Sequence, residues 1–133
     1  MKKIISGLFL TILTFTTIQT VSAQKDEWKE LKTFHSIMSK TFHPSEEGNL
    51  TPLRENSSDL LAKAKAWQAA PIPAHIKQPE IKQTLVKLVA KCDEINNAVK
   101  AKKSDKDLKK LITEAHELFH QIAEKCEKPE TAK

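Results

Sequence analysis

The sequence has no tyrosine, and only two of its 133 residues are glycine and two cysteine. Gly7 belongs to an N-terminal apolar run, which leaves Gly48 as the one glycine of the remaining chain. No stretch alternates apolar and polar residues for long, so β-strands are almost unsupported. Two tryptophans and five phenylalanines are too few for a base-stacking surface. Cys92 and Cys126 form no Cys-x-x-Cys-His, which excludes covalent c-type haem attachment. Charge does not point to nucleic acid either. Lys and Arg number 22 against 17 Asp and Glu, two of the bases are Lys2 and Lys3 of the leader described below, and the others stand beside acids, as in Lys25-Asp26-Glu27 and Lys106-Asp107. That pattern is one of solvated helix faces.

What is present begins with a leader. Lys2 and Lys3 precede an apolar run from Ile4 to about Ile18, and Val21-Ser22-Ala23 suits signal cleavage, so residues 1–23 read as a signal peptide and residues 24–133 as a single domain. A membrane anchor is the rival reading, but the run is short for a span of ~20 residues and no second hydrophobic segment follows. The expectation is a periplasmic or secreted protein without stable membrane insertion after processing. No cysteine at the cleavage point marks it for lipidation.

Helical periodicity dominates the rest. The first helix is expected from about Lys25 to Phe42, ending before Pro44, with Trp28, Leu31, His35, Met38 and Phe42 along its seam. His43-Pro44-Ser45-Glu46-Glu47-Gly48-Asn49 reads as a polar connection. A second helix starts near Ser57 or Ser58, or earlier near Thr51 with Pro52 at its first position, and buries Leu60, Leu61, Ala64 and Trp67 before Pro71 stops it. Pro71, Pro73 and Pro79 bracket a linker containing His75. The third helix, about Glu80 to Ala101, places Ile81, Leu85, Leu88, Cys92, Ile95 and Val99 on one face. Ser104 caps the fourth, whose face carries Leu108, Ile112, Ala115, Phe119, Ile122 and Cys126. Four such helices with short connections make an all-α, antiparallel four-helix bundle.

Within that bundle the unusual residues suggest a ligand site. His35 and Met38 stand on the apolar seam of the first helix, where a buried imidazole needs a partner that a metal or haem iron supplies; the alternative is a core histidine hydrogen-bonded to a neighbour and a methionine that fills space. If the outer helices are antiparallel neighbours, His35 is level with about His116, and Cys92 of the third helix reaches the same height. His116 and His120, one turn apart, lie toward the edge of their helix's stripe and can chelate a divalent ion. Cys92 otherwise packs as a small hydrophobe. The two cysteines are expected roughly 18 Å apart along the bundle, too far for an intramolecular disulfide, and Cys126 is a candidate for bridging a homodimer.

The stretch His116-Glu117-Leu118-Phe119-His120 spells the His-Glu-x-x-His of zinc hydrolases, although no third ligand or substrate cleft is marked. Leu118-Phe119-His120-Gln121, with the exported address and the bundle layout, resembles the soluble cytochrome b562 group. In that family a Met near the start of the first helix and a His near the end of the fourth bind haem b noncovalently. The resemblance implies His120 as the histidine ligand, but Leu31 occupies the matching height on the first helix and Met38 lies about seven residues, or roughly 10 Å, farther along.

The leading expectation is therefore a non-enzymatic, exported bundle that binds a transition metal, copper or zinc, or noncovalent haem, for metal handling or electron transfer. Its candidate ligands are His35, Met38, His116 and His120, with Cys92 as an additional metal ligand. A helical protein–protein interaction module with structural histidines is the alternative, and zinc-dependent hydrolysis the third reading.

Overall fold

A computed structural model describes residues 28–76 and 78–127. The proposed signal peptide and residues 25–27 of the expected first helix lie outside the described residues. Four helices follow in order: α1 (Lys29–Glu46), α2 (Thr51–Ala69), α3 (Gln78–Lys100) and α4 (Asp105–Glu127). No strand occurs among the described residues. Consecutive helices pack against each other and α4 closes back on α1, while α1 and α3 stand diagonally apart, as do α2 and α4. The chain is an up-down four-helix bundle, and the closing α1/α4 seam is its loosest.

Helix ends follow local chemistry. Pro52 sits in the first turn of α2, where its missing N–H costs nothing, and the Asn49 side-chain oxygen accepts the Thr51 N–H. The Ser104 hydroxyl accepts the Asp107 N–H at the start of α4, as its position in the sequence predicts. Helix α1 does not end at Phe42: it runs through Pro44 to Glu46. Proline removes one backbone donor there, but the last turn is closed by two bonds of a Schellman motif, Asn49 N–H to the Pro44 carbonyl and Gly48 N–H to the Ser45 carbonyl, with Gly48 at φ +89°. The same pair of bonds ends α3, where Lys103 donates to Ala98 and Lys102 to Val99; the left-handed position is held by Lys102 at φ 54°. A side chain in that region carries a cost of roughly 1 kcal/mol that glycine does not.

The core of α4 consists of Leu108, Ile112, Ala115, Phe119 and Ile122, matching the sequence pattern apart from a half-buried Cys126. Helix α3 likewise buries Ile81, Leu85, Leu88, Cys92 and Ile95, and α2 buries Leu53, Ser57, Leu60, Leu61, Ala64 and Trp67. The α1 core differs from its expected seam. Phe34, Ile37, Met38, Thr41, Phe42 and Ser45 face inward, Leu31 is half-buried, and His35 is exposed. The true apolar centre lies about 70° round the helix from the stripe drawn through His35, at ~100° per residue. Buried hydroxyls explain the displacement. Thr41 donates to the Ile37 carbonyl at 2.9 Å and Ser45 to the Thr41 carbonyl at 2.7 Å, so both polar side chains satisfy themselves on their own helix and occupy core positions at little cost.

Polar links fix the register between helices. Ser57 of α2 donates to Asn96 of α3 at 3.1 Å inside the bundle. Arg54 reaches both the Lys103 carbonyl and the Asp105 carboxylate, tying the start of α2 to the α3–α4 turn. Lys109 of α4 donates to the Glu46 carbonyl at 2.9 Å, while Phe34 and His35 meet Phe119 toward the other end, so α1 and α4 run antiparallel. This register sets the chemistry of their shared face.

Candidate metal centre

Four of the five histidines gather on the outer side of the α1/α4 seam: His35 and His43 from α1, His116 and His120 from α4. They arrive there because each stands beside the core stripe of its helix. On α4 the stripe is strict, and residue 116 falls at its edge while residue 120, four positions on, projects further out. His116 is half-buried and His120 exposed, as their angular positions require.

His116 is the most constrained of the four. Its ring lies flat on Phe42, with centroids 3.7 Å apart and 12° between planes. Its edge meets His120, whose ring is nearly perpendicular at 85°. The two Nε2 atoms are 3.1 Å apart, which in neutral imidazoles is a hydrogen bond with one ring donating and the other accepting. Desolvation first, then the neighbouring His120, holds the His116 pKa below its ordinary value of 6.5; Glu46 pulls the other way, and His43 and His35 add smaller downward pulls. The ring is therefore neutral at physiological pH, the state that offers a lone pair to a metal. Two nitrogens bound at ~2.0–2.1 Å to one tetrahedral zinc are about 3.4 Å apart. The pair is thus spaced within a few tenths of an ångström of a chelate.

His43 stands on the other wall. Its ring lies 6.5 Å from that of His116 at 67°, and its Nδ1 is 3.2 Å from the Glu46 Oε2. Both side chains are more than half exposed, at 64% and 53%. Sequence reading places this pair in a polar connecting loop, where a solvated turn is favoured over a ligand role, and so leaves it out of the candidate ligands. The signal that could have found them is Gly48: a glycine closing a Schellman turn puts the last helical residue two positions earlier, at Glu46, and makes residues 43 and 46 neighbours on one helix face.

The structure does not bring the expected constellation together. His35 is on the surface, stacked on Phe119 with centroids 5.1 Å apart and 12° between planes, and its height matches residue 119 rather than 116. Met38 is fully buried on the core side of α1 and offers no open thioether. Cys92 is fully buried on α3, diagonal to α1, and burial pushes its thiol up to about 12, so it packs here as a neutral small hydrophobe away from the histidines of the α1/α4 seam. No disulfide joins Cys92 to Cys126. His75 is exposed in the α2–α3 connection. Among the described residues, no three His, Cys, Asp or Glu side chains are gathered closely enough to enclose an ion as they stand.

Met38 and His120 do not fit as a haem pair. Met38 is sealed in the core and His120 projects from the surface, so they cannot face one iron across a slot. One surface hollow lies between α2 and α3 beside Ile72, Leu85 and Val86, and another lies over α3 and α4 beside Lys91, Leu111 and Glu114; neither is lined by histidine or methionine. The His-Glu-x-x-His stretch does place both imidazoles on one helix face, with Glu117 exposed beside them. Compared with known protein families, curated protein sequences and solved structures, the chain has no significant match.

Proposed function

We propose that this protein is an exported helical bundle that binds a divalent transition-metal ion, zinc or copper(II), on the outer α1/α4 face, and that its role is metal handling. The observation that carries this reading is the His116–His120 pair: two imidazoles one helical turn apart with Nε2 atoms 3.1 Å apart, one of them held neutral by burial and by its histidine neighbours. A divalent ion takes the place of the hydrogen between the two Nε2 atoms, the donor ring moving its proton to its own Nδ1 by exchange with solvent, so that a hydrogen bond becomes a chelate of two neutral imidazoles. Nitrogen donors favour zinc and copper(II), and the burial of Met38 and Cys92 removes the soft sulfur donors that would favour copper(I).

Export is supported by the basic, then apolar, then small-residue pattern of residues 1–23. Among the described residues, no helix is long and apolar enough to cross a membrane. Metal handling suits the site better than electron transfer, because the chelating pair lies at the surface, where an ion exchanges readily with solvent or a partner.

Titration of the purified full-length mature chain with Zn(II) and Cu(II), followed calorimetrically, tests the reading. One ion per chain, with binding lost in His116→Ala and in His120→Ala, is the expected result. Unchanged affinity in both variants overturns it and leaves the interaction-module alternative, which partner capture and nonreducing electrophoresis would pursue.

A further inference from the structure

A chelate from one helix leaves a tetrahedral ion two further positions, and open protein zinc sites usually have three protein ligands with water in the fourth. We infer that α1 supplies the third ligand through His43, that Glu46 orients His43 without binding the ion, and that the metal therefore spans the α1/α4 seam. The inference rests on the reading of His116 and His120 given above.

Three features point to His43. The first is its tautomer. A carboxylate accepts hydrogen bonds and does not donate them, so the His43 Nδ1 facing Glu46 Oε2 carries the hydrogen, and in the neutral ring Nε2 keeps the lone pair that a metal would take. A histidine that gives one N–H to a carboxylate and keeps the other nitrogen bare is the usual arrangement around a protein-bound metal. The second is proximity. The His43 and His116 rings are 6.5 Å apart between centroids, whereas rings sharing a tetrahedral ion are about 5 Å apart. The gap of roughly 1.5 Å lies within the reach of a side-chain rotation at a residue whose side chain is 64% exposed. The third is the seating of His116. Phe42, next to His43 in the chain, covers one face of the His116 ring, so α1 both fixes the plane of one ligand and carries the next.

Glu46 also supplies a negative charge beside an ion that three neutral imidazoles leave uncompensated. His35 is the rival on the same helix, but its ring meets Phe119, whereas the His43 ring meets that of His116 directly.

The site so formed ties the C-terminal turn of α1 to α4 across the loosest seam of the bundle, which a chelate confined to α4 cannot do. The test uses the full mature chain with Zn(II) affinity measured by competition, Co(II) absorption to read the ligand set, and thermal melts with and without Zn(II). His43→Ala is expected to lower Zn(II) affinity about 100-fold, to weaken the tetrahedral Co(II) bands and to remove most of the Zn(II)-dependent rise in Tm; Glu46→Gln is expected to lower affinity about tenfold. His35→Ala is expected to match the parent protein in all three. Binding that depends on His116 and His120 but is indifferent to His43 overturns this inference and leaves the α4 chelate standing. Loss of affinity in His35→Ala with none in His43→Ala overturns it in favour of the other α1 imidazole. Failure of the parent protein to bind either ion sinks the underlying reading itself.

Discussion

Helix α4 has two flanks, and they solve the problem of charge at a helix boundary differently. Toward α3, Lys91 bridges Glu94 at 2.6 Å and Glu114 at 2.8 Å, and Lys125 pairs with Glu80 at 2.6 Å. Each partner is answered by the opposite charge: Lys91 holds the Glu114 carboxyl below its ordinary range, and Glu114 with Glu94 holds the Lys91 ammonium above its own. Toward α1 the boundary residues are imidazoles and aromatic rings, stacked or edge-on, in a looser seam. Ion pairs complete themselves; neutral imidazoles retain a lone pair for something else. The same helix thus carries a flank built for cohesion and a flank with donor capacity to spare.

The largest effect that would break this comparison is on metal affinity. His116→Ala with His120→Ala should reduce Zn(II) affinity at least about 100-fold, while Lys91→Met on the opposite flank should leave it within twofold, both by calorimetry. Equal losses from the two flanks would show that the ion is not held on the α1 side. Next comes the core. Met38→Ala removes a fully buried side chain and should cost about 2–5 kcal/mol in urea unfolding with metal affinity of the folded protein unchanged. A stability loss accompanied by a matching loss of metal affinity would return the thioether to the ligand set.

The flanks should also separate by pH in the metal-free protein. The native pKa of His116 is lowered, so the unfolded chain binds more protons through the ordinary histidine range. Stability on the α1 side is therefore complete above about pH 7 and falls as pH drops through 6.5 toward the lower native value. Glu114, also lowered in the native state, contributes stability above 4.5 that is lost only as pH falls further. Melting temperature against pH should show two successive declines, and His116→Phe should flatten the first alone. The smallest effect is that of the surface ion pair: Lys91→Met should change unfolding free energy by under about 1 kcal/mol, and less at high salt.

Much of the fold is legible in the sequence, because α2, α3 and α4 carry apolar residues at spacings of three and four with recognisable stops and caps. Ser104, Pro52 and Pro71 act where their chemistry says they should. Helix α1 was harder to read for a physical reason. Its core includes Thr41 and Ser45, whose hydroxyls bond to carbonyls of their own helix, so polarity in the sequence did not mean exposure in the structure. Drawing the seam through His35 in their place rotated the inferred core and put an imidazole inside it. The same misjudged helix end hid His43 and Glu46. On α4, where the stripe is unambiguous, the boundary positions of His116 and His120 were readable from angle alone.

The aromatic cluster at the start of α1 has an optical consequence. Trp28 and Trp67 pack edge to face 5.4 Å apart, both buried and with no hydrogen-bond partner for either indole nitrogen among the described residues, and Phe119 lies against Trp67 at 6.0 Å. These are the only tryptophans in the chain, and tyrosine is absent. Intrinsic emission therefore comes from one spot in the bundle, blue-shifted by its dry surroundings, and that spot adjoins the helix that carries His116 and His120. A paramagnetic ion such as Cu(II) bound on that face should dim this emission, whereas Zn(II) at the same place should not, so the protein carries its own spectroscopic reporter without a label.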